Sequence, residues 1–327
     1  MARRAAACDC EARLQGPSRA NPFFRGARLP IVAFVPRSAM KGIHVNPASP
    51  PAPRRLLVTG VSSGLGLALA RAALAQGHTV VGTVRDGAAL AAFEALHPER
   101  ARGRILDVAR REDCAPLVAE VEASVGPVDV LVNNAGYGHE GTIEESSLDD
   151  LERQFAVNVF GAVAMIKAVL PAMRERRRGH IVNITSMGGL ITMPGLGLYH
   201  GSKFALEGLS ESLAKEVKTL GIAVTAVAPG AFRTNWAGGS MVRGARSLAD
   251  YDAVFAPLRQ RRQETQGQQP GDPAKAAAAI LELIASPTPP MHLLLGTDAL
   301  RLVGEKLALL GREIEDWKAL SSSTDFS

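Results

Sequence analysis

The pattern of hydrophobic and polar positions changes character at residue 54. Across residues 1–53 no period of 2 or 3.6 is sustained, and Pro17, Pro22, Pro30, Pro36, Pro47, Pro50, Pro51 and Pro53 interrupt the chain. That pattern predicts a disordered N-terminal extension. From Arg54 onward, short apolar runs alternate with longer helical stretches. The runs RLLVTG (55–60), TVVGTV (79–84), GRILDV (103–108), VDVLVNNAG (128–136), HIVNITS (180–186), IAVTAVAPG (222–230) and HLLLG (292–296) read as strands. Helices are predicted over 65–77, with Gly77 as its stop, and near 88–96, 112–125, 148–173, 200–219, 273–285 and 298–318. Strands alternating with helices predict βαβ units. The fold class is therefore α/β, a doubly wound parallel sheet in a single domain over 54–320, followed by a flexible tail at 321–327.

Composition changes this picture little. Hydrophobic residues make up 46% and charged residues 21%, both ordinary for a globular chain. No stretch approaches the ~18 uncharged apolar residues of a membrane helix, so no membrane span is expected. Charge is more informative. The net value of +5 hides an extension with eight basic and two acidic residues, which leaves 29 basic against 30 acidic in the remainder. The folded part is not basic, and no nucleic-acid partner is expected. The extension is Arg-rich and acid-poor, as transit peptides are, but it has little Ser, and IVAFV is too short for a secretory core. Plain disorder, or true initiation at Met40, is the favoured reading. Cys8, Cys10 and Cys114 cannot form a disulfide framework, so a reducing, cytoplasmic setting is expected.

The candidate chemistry begins at TGVSSGLG (59–66). Gly60, Gly64 and Gly66 lie between a strand and a helix. A pyrophosphate approaches the backbone at such a helix N-terminus, where free N–H groups favour an anion and a Cβ would be in the way. The spacing departs from G-x-G-x-x-G, and a purely structural turn is the alternative. At the end of the second strand, Arg85 precedes Asp86. Neighbouring side chains on an extended chain point opposite ways, and Arg85 arrives first. A basic residue there suits the 2′-phosphate of NADP, whereas an acid suits the ribose of NAD, so NADP(H) is favoured over NAD(H). Asp107 is placed to accept from the adenine amino group, or else to cap a helix.

These motifs together resemble the short-chain dehydrogenase/reductase family over about residues 55–300. They are TGxxxGxG (59–66), NNAG (133–136), Asn158 in FAVNVFG, Ser186 in NITS, Tyr199-x-x-x-Lys203 and PGAFRT (229–234). The pieces VTGVSSGLG, VRD and HLLLGTDA look most like its hydroxysteroid- and retinol-dehydrogenase-like branch. The resemblance implies a Rossmann-type domain that uses NAD(P)(H) to oxidise alcohols or reduce carbonyls. For cofactor binding it implies Gly60, Ser62, Ser63, Gly64, Leu65, Gly66, Arg85, Asp107, Val108, Asn134, Ala135, Gly136, Tyr199, Lys203, Pro229, Gly230 and Thr234. Asn133, Ala135 and Gly136 are expected on the nicotinamide side. The catalytic set it implies is Asn158, Ser186, Tyr199 and Lys203.

Tyr199 and Lys203 share one face of a helix at i,i+4. A free phenol titrates near ~10, too high for a base at neutral pH. A unit charge ~5 Å away at an effective dielectric of ~20 supplies roughly 3 kcal/mol, about two pKa units, so Lys203 is expected to bring the phenol down. Ser186 can position the substrate oxygen, or merely cap a turn. Asn158 sits in mid-helix, where Asn is mildly unfavourable; the resemblance gives it a relay water, and the plain alternative is a buried amide. The run RERRRG (174–179) reads as helix-terminal charge. His139 and His200 lack metal-site spacing, so no metal is expected, and no GxSxG hydrolase motif occurs.

The expected partner is a small carbonyl or alcohol. The stretch MGGLITMPGLGL (187–198) has no charged side chain, so Met187, Leu190, Met193 and Leu196 are expected to wall an apolar pocket. Residues 231–262 lie where the family carries a mobile lid; its Arg233, Arg243 and Arg246 are either solvated or available to a substrate anion. Apolar rows (Leu151, Phe155, Val159, Val163; Phe204, Leu209, Leu213, Val217) suggest a homodimer or homotetramer. The rival readings are a non-catalytic NAD(P)-binding sensor or scaffold of the same fold, and an epimerase or dehydratase that uses the same Tyr–Lys pair with bound NAD.

Overall fold

The computed structural model describes residues 52–236 and 238–326. The extension expected at 1–53 lies outside the described residues except for Ala52 and Pro53, which are exposed and without regular structure.

Seven strands form one parallel sheet in the order β3-β2-β1-β4-β6-β7-β9. They are β1 (Arg55–Thr59), β2 (Thr79–Val84), β3 (Ala101–Ile105), β4 (Val130–Asn133), β6 (Gly179–Ile184), β7 (Ile222–Pro229) and β9 (His292–Leu295). Leu56, Leu57, Val58, Val130, Leu131 and Val132 are fully buried. Continuous apolar runs of this kind suit central strands covered on both faces. One face packs against α1 (Gly64–Ala75) and α8 (Pro273–Ala285) through Leu69, Ala70, Ala73, Ile280 and Ile284. The other packs against α3 (Cys114–Ser124), α5 (Ala162–Glu175) and α6 (Gly197–Val217) through Val118, Val121, Met165, Val169, Met173 and Val217. Strand order reverses between β1 and β4, and such a reversal opens a crevice at the strands' carboxyl ends. The doubly wound single domain expected from the pattern is the one observed.

Five features depart from the sequence reading. The edge strand β3 begins at Ala101 and stops at Ile105, before Asp107, because Arg102 and Arg104 carry no apolar signal. A second sheet pairs β5 (Gly138–Glu140) with β8 (Met241–Arg243). The segment from 231 onward contains a further helix, α7 (Asp252–Glu264). The helix expected at 148–173 is α4 (Leu148–Phe155), a π-helical turn at Ala156–Gly161, and then α5. By length and composition this 28-residue stretch could cross a membrane, but here it packs its apolar side on the sheet. At the C-terminus α9 (Thr297–Asp316) is followed by α10 (Lys318–Ser322), which enters the stretch expected as tail.

Candidate active site

The glycine turn after β1 is built for close approach. Gly60 and Gly64 adopt φ of +73° and +60°, values that side-chain-bearing residues rarely take. Gly66 has no space for a Cβ, which would strike the Gly60 carbonyl and the Asn134 amide. Asn134 Nδ2 donates to the Thr59 and Gly60 carbonyls at 2.9 and 2.8 Å, and the Asn134 and Ala135 amides both donate to Thr59 Oγ1 at 3.0 Å. Asn134 and Ala135 therefore brace the turn from β4. Ser63 is the N-cap of α1 and its side chain makes no cap bond, so the first-turn N–H groups of Gly64, Leu65 and Gly66 remain available to an anion. Ser62 and Ser63 are exposed. Thr234 lies across the turn, with its Cβ 3.7 Å from where a Gly64 Cβ would stand. These residues fit a dinucleotide pyrophosphate.

At the tip of β2, Arg85 and Asp86 are both exposed. Asp86 caps the helix Gly87–Glu94, its carboxylate accepting from the Ala89 amide at 2.8 Å. Arg85 makes no bond within the described residues. Asp107 accepts from the Ala109 amide at 3.0 Å, and Val108 is buried against Gly161. Pro229 ends β7, and Gly230 donates to the Leu295 carbonyl at 2.8 Å. Asn133 is a correction: it points into the core, where its Nδ2 donates to Asn183 Oδ1 at 2.9 Å, and Asn183 Nδ2 donates to Ser210 at 2.8 Å. Strand alternation turns it away from the face that Asn134 and the exposed Gly136 share.

Ser186, Tyr199 and Lys203 meet at the carboxyl end of β6. The Ser186 Oγ accepts from the Gly188 amide at 2.9 Å and hydrogen-bonds the Tyr199 phenol. Turn-capping and contact with the phenol are thus both present. Lys203 Nζ donates to the Ile184 carbonyl at 2.9 Å and lies 5.9 Å from the Tyr199 ring centroid. The expected lowering of the phenol is not what the structure gives. Burial pushes Tyr199 up to about 12, opposed only by Ser186, and burial pushes Lys203 down to about 8, opposed by Glu207. Desolvation penalises the phenolate and the ammonium alike, and it outweighs their mutual attraction. The phenol therefore carries its proton at neutral pH.

Asn158 occupies the π-helical turn, a distortion common at functional sites. Its Nδ2 donates to the Tyr137 carbonyl and to Ser202 Oγ at 3.0 Å each, and its Oδ1 accepts from the Tyr137 amide at 3.1 Å. A Cβ at Gly136 would come within 3.1 Å of Asn158 Oδ1 and 3.6 Å of Lys203 Nζ. Asn158 is thus a buried amide that fixes the 136–137 backbone, set next to Lys203.

Two contributors, Trp236 and Gln154, were not singled out in the sequence, and a third, His200, was weighed there only as a metal ligand. Trp236 packs tilted against Tyr199, with ring centroids 5.1 Å apart; as one of two tryptophans it was the residue to notice. Gln154 Nε2 donates to the Tyr137 carbonyl at 2.8 Å. His200 bridges the loop after Ser186, its Nδ1 meeting the Gly188 carbonyl at 2.7 Å and its Nε2 the Met193 amide at 2.9 Å. Burial lowers its pKa, in keeping with a neutral ring that donates once and accepts once. A cavity of about 590 Å³ opens beside His200, lined by Ile143, Met193, Pro194 and Phe204 among others. Of the four expected pocket residues only Met193 lines it; Leu196 is buried in the core.

Of the three arginines weighed in the 231–262 segment, Arg243 and Arg246 face carboxylates of the protein, whereas Arg233 is exposed, as the solvated alternative expected. Arg246 pairs with Glu145 at 2.8 Å and Asp252 at 2.9 Å, and Arg243 lies 3.8 Å from Glu140. Arg233 Nε donates to the Gln269 carbonyl at 2.6 Å. Glu140, only 1% exposed, also receives Arg259 at 3.2 Å and Arg262 at 3.1 Å.

Residues 54–241 match the short chain dehydrogenase family. The chain is 36% identical over 265 residues to Oxidoreductase BOA17 of Botryotinia fuckeliana, which covers 81% of this chain and 96% of that one. It is 38% identical over 258 residues to retinol dehydrogenase 8 of Homo sapiens, covering 74% and 81% of the two chains. A solved short-chain dehydrogenase from Streptomyces avermitilis superposes with a TM-score of 0.79 at 43% identity, over 84% of this chain and 99% of that one.

Proposed function

The chain belongs to the short-chain dehydrogenase/reductase family, and from that premise we propose that it is an NADP-dependent reductase of hydrophobic carbonyls, with Tyr199 as its proton donor. As a family member it is an oxidoreductase acting on CH–OH or C=O groups with NAD(P). When bound, the dinucleotide supplies or accepts the hydride. The N-terminus of α1 with Ser62, Ser63, Gly64, Leu65 and Gly66 would hold its pyrophosphate, Arg85 its 2′-phosphate, Asp107 and Val108 its adenine end, and Ala135, Gly136, Pro229, Gly230 and Thr234 its nicotinamide end.

The observation that carries the reading is the buried cluster of Ser186, Tyr199 and Lys203. Ser186 orients the substrate oxygen toward the phenol. Tyr199, held neutral by burial, gives its proton to the developing alkoxide in reduction and takes one back in oxidation. Lys203 offsets the negative charge left on the phenol, and Asn158 shapes the backbone beside it. All four groups are present, which argues against a non-catalytic sensor. Arg85 supports the choice of NADP, because it makes no bond within the described residues while Asp86 is spent on capping a helix. An apolar substrate is supported by Trp236 over Tyr199, by the uncharged 187–198 loop and by the ion pairs that hold Arg243 and Arg246. A relative named for retinol is consistent with that class. We place the enzyme in the cytoplasm, where the buried, unpaired Cys114 stays reduced, and we expect a homodimer or homotetramer.

The test is a carbonyl panel read by NADPH absorbance. A bulky neutral ketone should exceed its carboxylated analogue in kcat/KM. An advantage of tenfold or more for the anion, about 1.4 kcal/mol, would contradict the apolar pocket.

A further inference from the structure

Glu207 is a buried carboxylate with no part in the chemistry above. It follows Lys203 by one turn on the same face of α6, and the two are 3% and 6% exposed. On its far side, His292 at the start of β9 sets Nδ1 3.2 Å from Glu207 Oε2 and Nε2 3.6 Å from Glu211 Oε1. The Thr185 hydroxyl, just past β6, donates to the Val227 carbonyl at 2.9 Å, and neither Glu207 oxygen has a hydrogen-bond partner among the described residues. The loop after Ser186 lies directly on the pair: a Cβ at Gly189 would come within 2.9 Å of both Glu207 Cγ and the Lys203 carbonyl. The charged or titratable groups around Lys203 and Glu207 are thus Tyr199 and Glu211 from α6 and His292 from β9. The loop adds only the hydroxyls of Thr185 and Ser186.

An ammonium withdrawn from water needs compensating charge. The hydrogen bond of Lys203 to the Ile184 carbonyl supplies a dipole, whereas an ionised Glu207 one turn away would supply a full charge. We propose that Glu207, anchored by His292, is a positioning residue that keeps Lys203 protonated beside Tyr199. The directions of titration agree. Burial lowers Lys203 and Glu207 raises it again. Burial also raises Glu207, and the Thr185 hydroxyl and the His292 ring that face it restrain that rise. Removing the carboxylate charge therefore makes Lys203 lose its proton at lower pH. The proposal depends on the function given above only for its kinetic consequence.

The direct test is an NMR titration of lysine side chains in the full-length protein with lysine-selective labelling, Lys203 being assigned by the signal missing in Lys203→Met. In Glu207→Gln the Lys203 midpoint should fall by about one unit, a tenfold shift in its protonation equilibrium. Glu207→Asp should keep most of the wild-type value. Should Glu207→Gln not fold, His292→Gln at the solvent end should lower the midpoint in the same direction. An unchanged Lys203 midpoint in folded Glu207→Gln, or in His292→Gln if that is the variant that folds, would overturn the proposal. The alkaline limb of kcat/KM should move with the midpoint. A moved midpoint with an unmoved limb would support the Glu207–Lys203 coupling and count instead against the part of Lys203 in catalysis.

Discussion

Arg85 and Asp86 show how neighbouring residues divide two tasks. The Asp86 carboxylate is occupied by the Ala89 amide, which leaves the Arg85 guanidinium as the charge presented beyond β2. A guanidinium offers a forked donor to a phosphate. Arg85→Asp should therefore reverse a preference for NADPH into one for NADH, measured as the ratio of kcat/KM values. Equal values for the two cofactors in the wild type would show that Arg85 faces solvent. Tyr199 teaches a different lesson. Its spacing from Lys203 was readable, but its proton affinity depends on burial, which no local spacing encodes. A phenol pushed up to about 12 keeps its proton at neutral pH.

Most strands and helices were legible because their apolar runs are continuous or periodic and end in glycine. The exceptions have physical causes. The π-helical turn at Asn158 adds a residue to a helix without changing its composition. The pairing of β5 with β8 joins three-residue strands a hundred positions apart, too short to carry a period. Asn133 and Asn134 are adjacent and alike, and only the strand's phase sends one to the core and the other to the glycine turn. Two of the three ion pairs on Glu140 come from arginines on a helix that no pattern had announced. That cluster fastens α7 to β5, and breaking a buried pair typically costs about 3–5 kcal/mol. Glu140→Ala should raise amide hydrogen exchange across 252–264 by well over tenfold while leaving β1 and β4 protected. Unchanged exchange in α7 would show that Phe255, buried beneath Arg246 and Arg259, holds the segment without the ion pairs.

At the scale of the molecule, the sheet sets the glycine turn of β1 and the Ser186–Tyr199–Lys203 cluster beyond β6 at the same carboxyl edge, on either side of β4. The apolar rows expected on the outer helices divide between two duties. Val159 and Val217 are buried in the fold, whereas Phe204 and Leu209 are each 42% exposed, and Phe160, outside those rows, is 46% exposed. Exposed aromatic and aliphatic side chains on neighbouring helices suit an isologous contact. Light scattering at micromolar concentration should thus give the mass of a dimer or tetramer, and a monomer would count against that contact. The central claim is that Tyr199 moves the proton, and the most direct measurement is NADPH turnover with a bulky neutral ketone in Tyr199→Phe, alongside NADPH binding to the same variant. The account predicts a rate lower by ~10²–10⁴-fold with cofactor affinity nearly unchanged; retention of more than about a tenth of the wild-type rate, a far smaller loss than general acid catalysis supplies, would contradict it.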